Sequence, residues 1–219
     1  MKDSQKLGGL AALYAAAAYV FGLLGYGLVV DYGSAADPAQ KVALLADHQD
    51  FLYLLTLLVF VVFAPVLVVL ALALYERLKA GARSIMQTAT ALGLIWAGLV
   101  IGSGMVFMVG MGNVVDVSAT DPAQAATAWV AIESVFDGLG GGNEIVGGLW
   151  VLLVSWAGLR SGGLPKALNY YGVLVGVAGI LSTVPALAEF GQIAFGLGQI
   201  PWFVALGIVM LRRSPSAAS

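Results

Sequence analysis

The chain has 219 residues, 60% of them hydrophobic and 10% charged, with a mean hydropathy of +0.95, whereas an ordinary soluble domain carries roughly 25% charged residues. That composition excludes a water-soluble enzyme domain, and a net charge of −2 without a basic stripe excludes a nucleic-acid binder. With no cysteine there is no disulfide, thiolate nucleophile or iron–sulfur cluster.

The first charge-free stretch, residues 7–30, follows Lys2 and Lys6 and is 24 residues long. An h-region of a signal peptide runs about 7–15 residues, so this stretch reads as a retained membrane helix. Further charge-free stretches cover residues 51–75, 84–115, 145–159, 167–188 and 190–211. All but 145–159 reach the roughly 20 residues that a helix needs to cross about 30 Å of hydrocarbon. Lipid offers no partner for a bare amide, and the stretches lack the alternation of barrel strands, so the spans are helices. The expectation is an all-α, polytopic membrane bundle with six transmembrane helices in one domain.

After the first span comes VVDYGSAADPAQ (residues 29–40), and after the third comes VVDVSATDPAQ (residues 114–124). Asp-Pro-Ala-Gln is a helix start, with Asp as N-cap, Pro in the first helical position and Gln placed to reach back. Asp37 and Gln40 therefore open a capping segment over 38–50, and Asp121 and Gln124 open one over 122–137. The spacing of about 84 residues reads as an internal duplication of a helical hairpin with its cap. It divides the chain into pseudo-repeats 1–83 and 84–167, a shortened third hairpin 168–213 and a tail 214–219.

Threading six helices puts Lys2, Lys6, Arg77, Lys79, Arg83, Arg160, Lys166, Arg212 and Arg213 on the side of the amino terminus and leaves Lys41 alone opposite. The positive-inside rule then places both termini in the cytoplasm. Asp31, Asp37, Asp47, Asp50, Asp116, Asp121, Glu133, Asp137, Glu144 and Glu189 fall on the outer side. Trp156, Tyr75, Tyr170 and Tyr171 mark the inner boundary, and Tyr32, Tyr53 and Trp129 the outer one. Among the 29 glycines, Gly98-LVI-Gly102 and Gly172-VLV-Gly176 have the spacing that lets helices pack closely, inside the chain or against a second copy.

The fourth span is short, 15 residues or roughly 22 Å of helix against about 30 Å of hydrocarbon. Its leading residues, Asn143 and Glu144, follow a Gly140-Gly141-Gly142 corner and so are drawn below the lipid surface, and an ionisable residue there is a candidate site. Glu133 and Asp137, four apart on the capping helix, share a face and repel unless they are solvated, protonated or bridged by a cation. ADHQD places Asp47, His48 and Asp50 at the equivalent corner, and Glu189 marks the turn between spans five and six. The candidate ligand-binding residues are therefore Glu144, Asn143, Glu133, Asp137, His48, Asp50 and Glu189, gathered in an outward-facing acidic vestibule. No HExxH, HxxxH or ExxH pattern supplies a metal site, and no GxSxG supplies a nucleophile. Neither cofactor nor metal is expected. In the last hairpin, Gln199 and Pro201 lie mid-span, where proline kinks the helix and a buried glutamine either lines a cavity or forms a packing hydrogen bond.

The stretch GLGGGNEIVGGLWVLLVSWAGLRSGGLPKALNYYG (residues 138–172) resembles a family of bacterial multi-pass membrane proteins catalogued as a domain of unknown function. The resemblance is strongest at Gly142-Asn143-Glu144 and at the turn from Leu159-Arg160-Ser161-Gly162 to Leu164-Pro165, and extends over most of the chain. It implies a bacterial plasma-membrane setting and six spans, and it supplies no catalytic residue. Three readings stay open. One is binding or transport of a cation, cationic small molecule or lipid headgroup at the vestibule. The others are an accessory subunit packing through glycine-rich faces against itself or another membrane protein, and a carboxylate- or metal-dependent membrane enzyme. The bilayer is the common partner of all three.

Overall fold

The computed structural model describes residues 2–141 and 144–212. Among these residues the chain is helical almost throughout: α1 (Lys2–Leu24), α2 (Pro38–Asp47), α3 (Gln49–Thr56), α4 (Phe63–Ser118), α5 (Pro122–Phe136), α6 (Ile145–Ser161), α7 (Lys166–Leu181) and α8 (Ala188–Arg212). Wide, π-type turns extend α1 over Gly25–Val29, precede α4 over Leu57–Val62 and follow α5 over Asp137–Gly141.

Both repeated phrases start helices by the mechanism their residues dictate. Asp37 Oδ1 accepts from the Gln40 amide at 2.9 Å and Asp121 Oδ1 from the Gln124 amide at 2.9 Å, with Pro38 and Pro122 in the first turn. In the first copy Gln40 also reaches back, its Oε1 accepting from the amide of Ala36, one residue before the N-cap, at 3.0 Å. The first cap helix ends sooner than its residues suggest: α2 stops at Asp47, and His48, with φ −117° and ψ 20°, joins it to α3.

Among the described residues four segments are long and apolar enough to cross a membrane: Asp3–Val29, Gln49–Ser118, Pro122–Ser161 and Pro185–Arg212; Lys166–Leu181 is apolar but shorter. The fifth stretch therefore falls short of the 22 residues expected of 167–188. Helix α7 stops at Leu181 because Ser182 turns its hydroxyl back onto the Gly179 carbonyl (2.6 Å) and Pro185 opens a 3-10 turn just beyond. The segment Gln49–Ser118 contains two of the expected spans, 51–75 and 84–115, and within it the backbone of α4 leaves helical geometry at Ala82 (φ −150°, ψ 47°), in the charged stretch between them. The triple-glycine corner also breaks the chain as its composition requires, with Gly140 at φ 142°, a conformation closed to residues bearing a Cβ. Helix α6 then begins at Ile145 with Glu144 in the N-cap position.

The chain divides into two compact units, one made of residues 1–17, 64–98 and 143–219, the other of 18–63 and 99–142. In the first unit the glycines let backbones meet. A Cβ at Gly148 would stand 2.7 Å from the Gly176 carbonyl oxygen, and one at Gly191 would stand 2.5 Å from the Ser182 amide. Trp96, Trp150, Trp202, Phe195 and Phe203 fill the rest of this core in edge-to-face and tilted pairs, Trp96–Trp150 being tilted. Of the two GxxxG patterns, Gly172 and Gly176 are used in this packing, whereas Gly98 has open space around it. In the second unit α2 lies on α5, and Val42, Leu45, Leu52, Leu55, Phe107, Met111 and Trp129 form the buried core.

Candidate functional site

In the second unit the two cap helices bring an acid and a base together across 92 residues of sequence. Lys41 Nζ, from the second turn of α2, donates to Glu133 Oε1 and Oε2 on α5 at 2.6 and 2.8 Å. Tyr32 Oη donates to Glu133 Oε1 at 2.7 Å and accepts from Trp129 Nε1 at 2.8 Å, while the Lys41 ammonium sits 5.2 Å from the centre of the Tyr32 ring. The one-residue-longer first copy makes this possible. Its helix ends before Asp31, which adopts the left-handed region (φ 48°), and the following 3-10 turn Tyr32–Ser34 carries Tyr32 to the acid. In the second copy α4 continues as helix through the matching Asp116. Burial pushes the Tyr32 hydroxyl well above its ordinary range. The hydrogen bond to Glu133 and the charges of Glu133 and Asp137 add to the shift, and the bond from Trp129 opposes it.

Trp129 departs from its expected place in the outer aromatic belt. Its side chain is fully buried (0% exposed), edge-on to Phe107 at 5.4 Å, because its indole N–H has found a protein acceptor in Tyr32 rather than a lipid headgroup. Asp137 follows one turn after Glu133 and contributes its charge to the same cluster. His48 and Asp50 lie at the junction of α2 and α3. His48 is engaged through its backbone, donating to Leu44 O at 3.1 Å and accepting from the Leu52 amide at 2.9 Å, and the Asp50 side chain is exposed.

Glu144 and Glu189 belong to the first unit, and Asn143 lies outside the described residues. Glu189 stands in the first turn of α8 with its side chain exposed. Glu144 is partly buried. Its amide donates to Ser182 Oγ at 3.0 Å, and its carbonyl accepts from the Gly148 amide at 2.7 Å. A Cβ at Gly179 would stand 3.0 Å from the Glu144 carbonyl oxygen. The backbone of Glu144 is thus clamped where the start of α6 meets the end of α7, whereas its carboxylate makes no side-chain capping bond and no salt bridge among the described residues. Among those residues no three His, Asp or Glu side chains are grouped so as to hold a metal ion.

Apolar helices of crossing length, joined by corners that place acids at helix ends, define a membrane-embedded helical protein. Within that class, a family model described as "Domain of unknown function (DUF4386)" matches residues 7–212, and the chain belongs to that family. No curated protein and no solved structure matches it.

Tyr32 and Lys41 are the partners that sequence reasoning left out of the candidate set. One signal was present: Lys41 is the lone base among the acid-rich segments, and a carboxylate pair at i and i+4 calls for a cation.

Proposed function

We propose that this protein is a six-span bacterial plasma-membrane protein, with both termini cytoplasmic, that binds a small cation or cationic molecule at Glu144. The topology has support in helix length. Fifty-six residues of α4 make roughly 84 Å of helix, far more than one bilayer requires, and the break at Ala82 divides them into two crossings. The duplicated hairpin is supported by the matching Asp-Pro caps on α2 and α5.

The observation that carries the binding reading is Glu144 itself, partly buried where the start of α6 meets the end of α7, with its backbone fixed and, among the described residues, no base paired with it. A desolvated carboxylate calls for a countercharge or a proton. The carboxylate takes no capping bond from the start of α6, and because it is an anion its complementary ligand is a cation. Glu133, by contrast, has its countercharge inside the chain.

The test is thermal unfolding of the purified protein and of Glu144→Gln against a series of alkali cations, choline, ethanolamine and short polyamines. One member is expected to stabilise the wild type, by about 2.7 kcal/mol at a hundredfold excess over Kd, and to leave Glu144→Gln unmoved. A series that shifts neither protein, or shifts both equally, overturns the reading. The accessory-subunit reading rests on a different observation, the exposed Gly98 with open space around it.

A further inference from the structure

Helix α8 runs unbroken through Pro201 near its middle, where the proline has no amide to give the Leu197 carbonyl four residues earlier. Just before the proline, Gln199 is fully buried (0% exposed), and neither its Nε2 nor its Oε1 has a hydrogen-bond partner. Three more polar atoms among the described residues share that condition: Trp150 Nε1 and Ser155 Oγ on α6 and Asn169 Oδ1 on α7. Gly172 of α7 is met on one side by both Ser155 Oγ and Trp202 Nε1, and Trp202, three residues from Gln199 and on the same face of α8, packs edge-on to Trp150 at 5.7 Å. Tyr171, also on α7, donates its hydroxyl to the Gly198 carbonyl at 3.1 Å, a side chain reaching into the weakened part of the helix.

A buried carboxamide with both ends unmet is strongly disfavoured in an apolar interior. Native proteins satisfy nearly all such groups, and the usual agent in a polar recess is bound water, which makes about three hydrogen bonds. We infer that the Gln199 recess is a hydrated site, in which ordered water bonds the Gln199 carboxamide between α6, α7 and α8. The chemistry required is a group that both donates and accepts, which water supplies and the apolar side chains nearby do not. The inference stands apart from the Glu144 reading and uses none of its residues.

The experiment is hydroxyl-radical footprinting of the intact protein in detergent by water radiolysis, with side-chain oxidation read by mass spectrometry. Bound water delivers radicals to its neighbours even where bulk solvent does not reach. Trp150 and Trp202, essentially inaccessible to solvent, are expected to be oxidised in the wild type. Their oxidation is expected to fall in Gln199→Leu to the level of the fully buried Phe203, while Trp156, 49% exposed, is unchanged and shows the fold to be intact. Should Gln199→Leu fail to fold, Gln199→Met serves in its place. Wild-type Trp150 and Trp202 that stay as unreactive as Phe203 overturn the inference. So does labelling that survives the apolar substitution. A dry site would also announce itself by a higher unfolding temperature for Gln199→Leu, since that change deletes a stranded amide; the hydrated site predicts no such gain.

Discussion

Replacing Tyr32 by Phe deletes one oxygen atom and breaks two contacts. Glu133 loses the hydroxyl at 2.7 Å, and the Trp129 indole N–H loses its acceptor at 2.8 Å. The indole is fully buried and braced against Phe107, so it cannot turn to water for a replacement. A hydrogen bond to a charged group contributes about 1.5–3 kcal/mol, and a stranded buried donor costs about 1–3 kcal/mol. Because both effects share one hydroxyl they do not simply add, and the expected destabilisation is about 2–4 kcal/mol. Lys41→Met breaks the shorter contact yet costs less. The pair is 26% and 20% exposed on its two sides, so water screens it, and a loss of about 1 kcal/mol or less follows. Equilibrium unfolding in mixed micelles, followed by tryptophan fluorescence, ranks the two.

The same hydroxyl adds a pH signature. Its folded pKa lies above the unfolded value, so the unfolded state releases the proton first. The associated stability is complete below about pH 10 and is lost as pH climbs beyond it. Tyr32→Phe has no such loss at this position, and the remaining tyrosines titrate alike in both proteins, so the gap between them narrows at alkaline pH. A Tyr32→Phe variant no less stable than Lys41→Met, or a gap that stays constant above pH 10, refutes the reasoning.

Two further outcomes follow from backbone geometry. Gly148→Ala places a Cβ 2.7 Å from one carbonyl oxygen and 2.8 Å from the Ile180 amide, and is expected to cost about 1–3 kcal/mol by overpacking. Gly98→Ala, with nothing within 4 Å, is expected to be neutral or to gain up to about 1 kcal/mol; equal effects in the micelle assay would remove the close-packing argument. Asp37→Ala and Asp121→Ala each delete one accepted amide bond and are expected to cost about 0.5–2 kcal/mol. Hydrogen exchange should show the Gln40 and Gln124 amides unprotected in the respective variant, and unchanged exchange there would count against the capping role.

What the sequence displays well is whatever a few neighbouring residues decide. Asp-Pro-Ala-Gln caps a helix by contacts spanning three residues, so both caps were legible, as was the break at the triple glycine, where only an absent Cβ permits φ near 142°. The end of α7 was not legible from the charge-free length of 167–188. Hydropathy is blind to a serine that folds back on its own helix, and Ser182 with Pro185 ends the helix at Leu181. Trp129 was misplaced for the complementary reason. An amphipathic ring near a span end suits a lipid interface by composition, and only the Tyr32 hydroxyl, 97 residues away in sequence, makes a fully buried position affordable.

The outer acids show how far local spacing carries an argument about a site. Glu133 and Asp137, one turn apart, repel unless solvated, protonated or bridged by a cation, and periodicity gives no way to choose among these or to say whether a cation would be a ligand or part of the chain. The fold answers for Glu133: Lys41 supplies the charge and Tyr32 fixes the oxygen it bonds. Once that carboxylate is satisfied internally, its role in binding weakens, and the weight passes to the acid whose backbone is held but whose side chain is not. Glu144 is that acid. The same short span that marked it in the sequence begins, in the fold, at the next residue. At the N-cap of α6 its backbone is fixed by Ser182 and Gly148 while its carboxylate takes no capping bond, so on the proposed reading both oxygens are left for a bound cation.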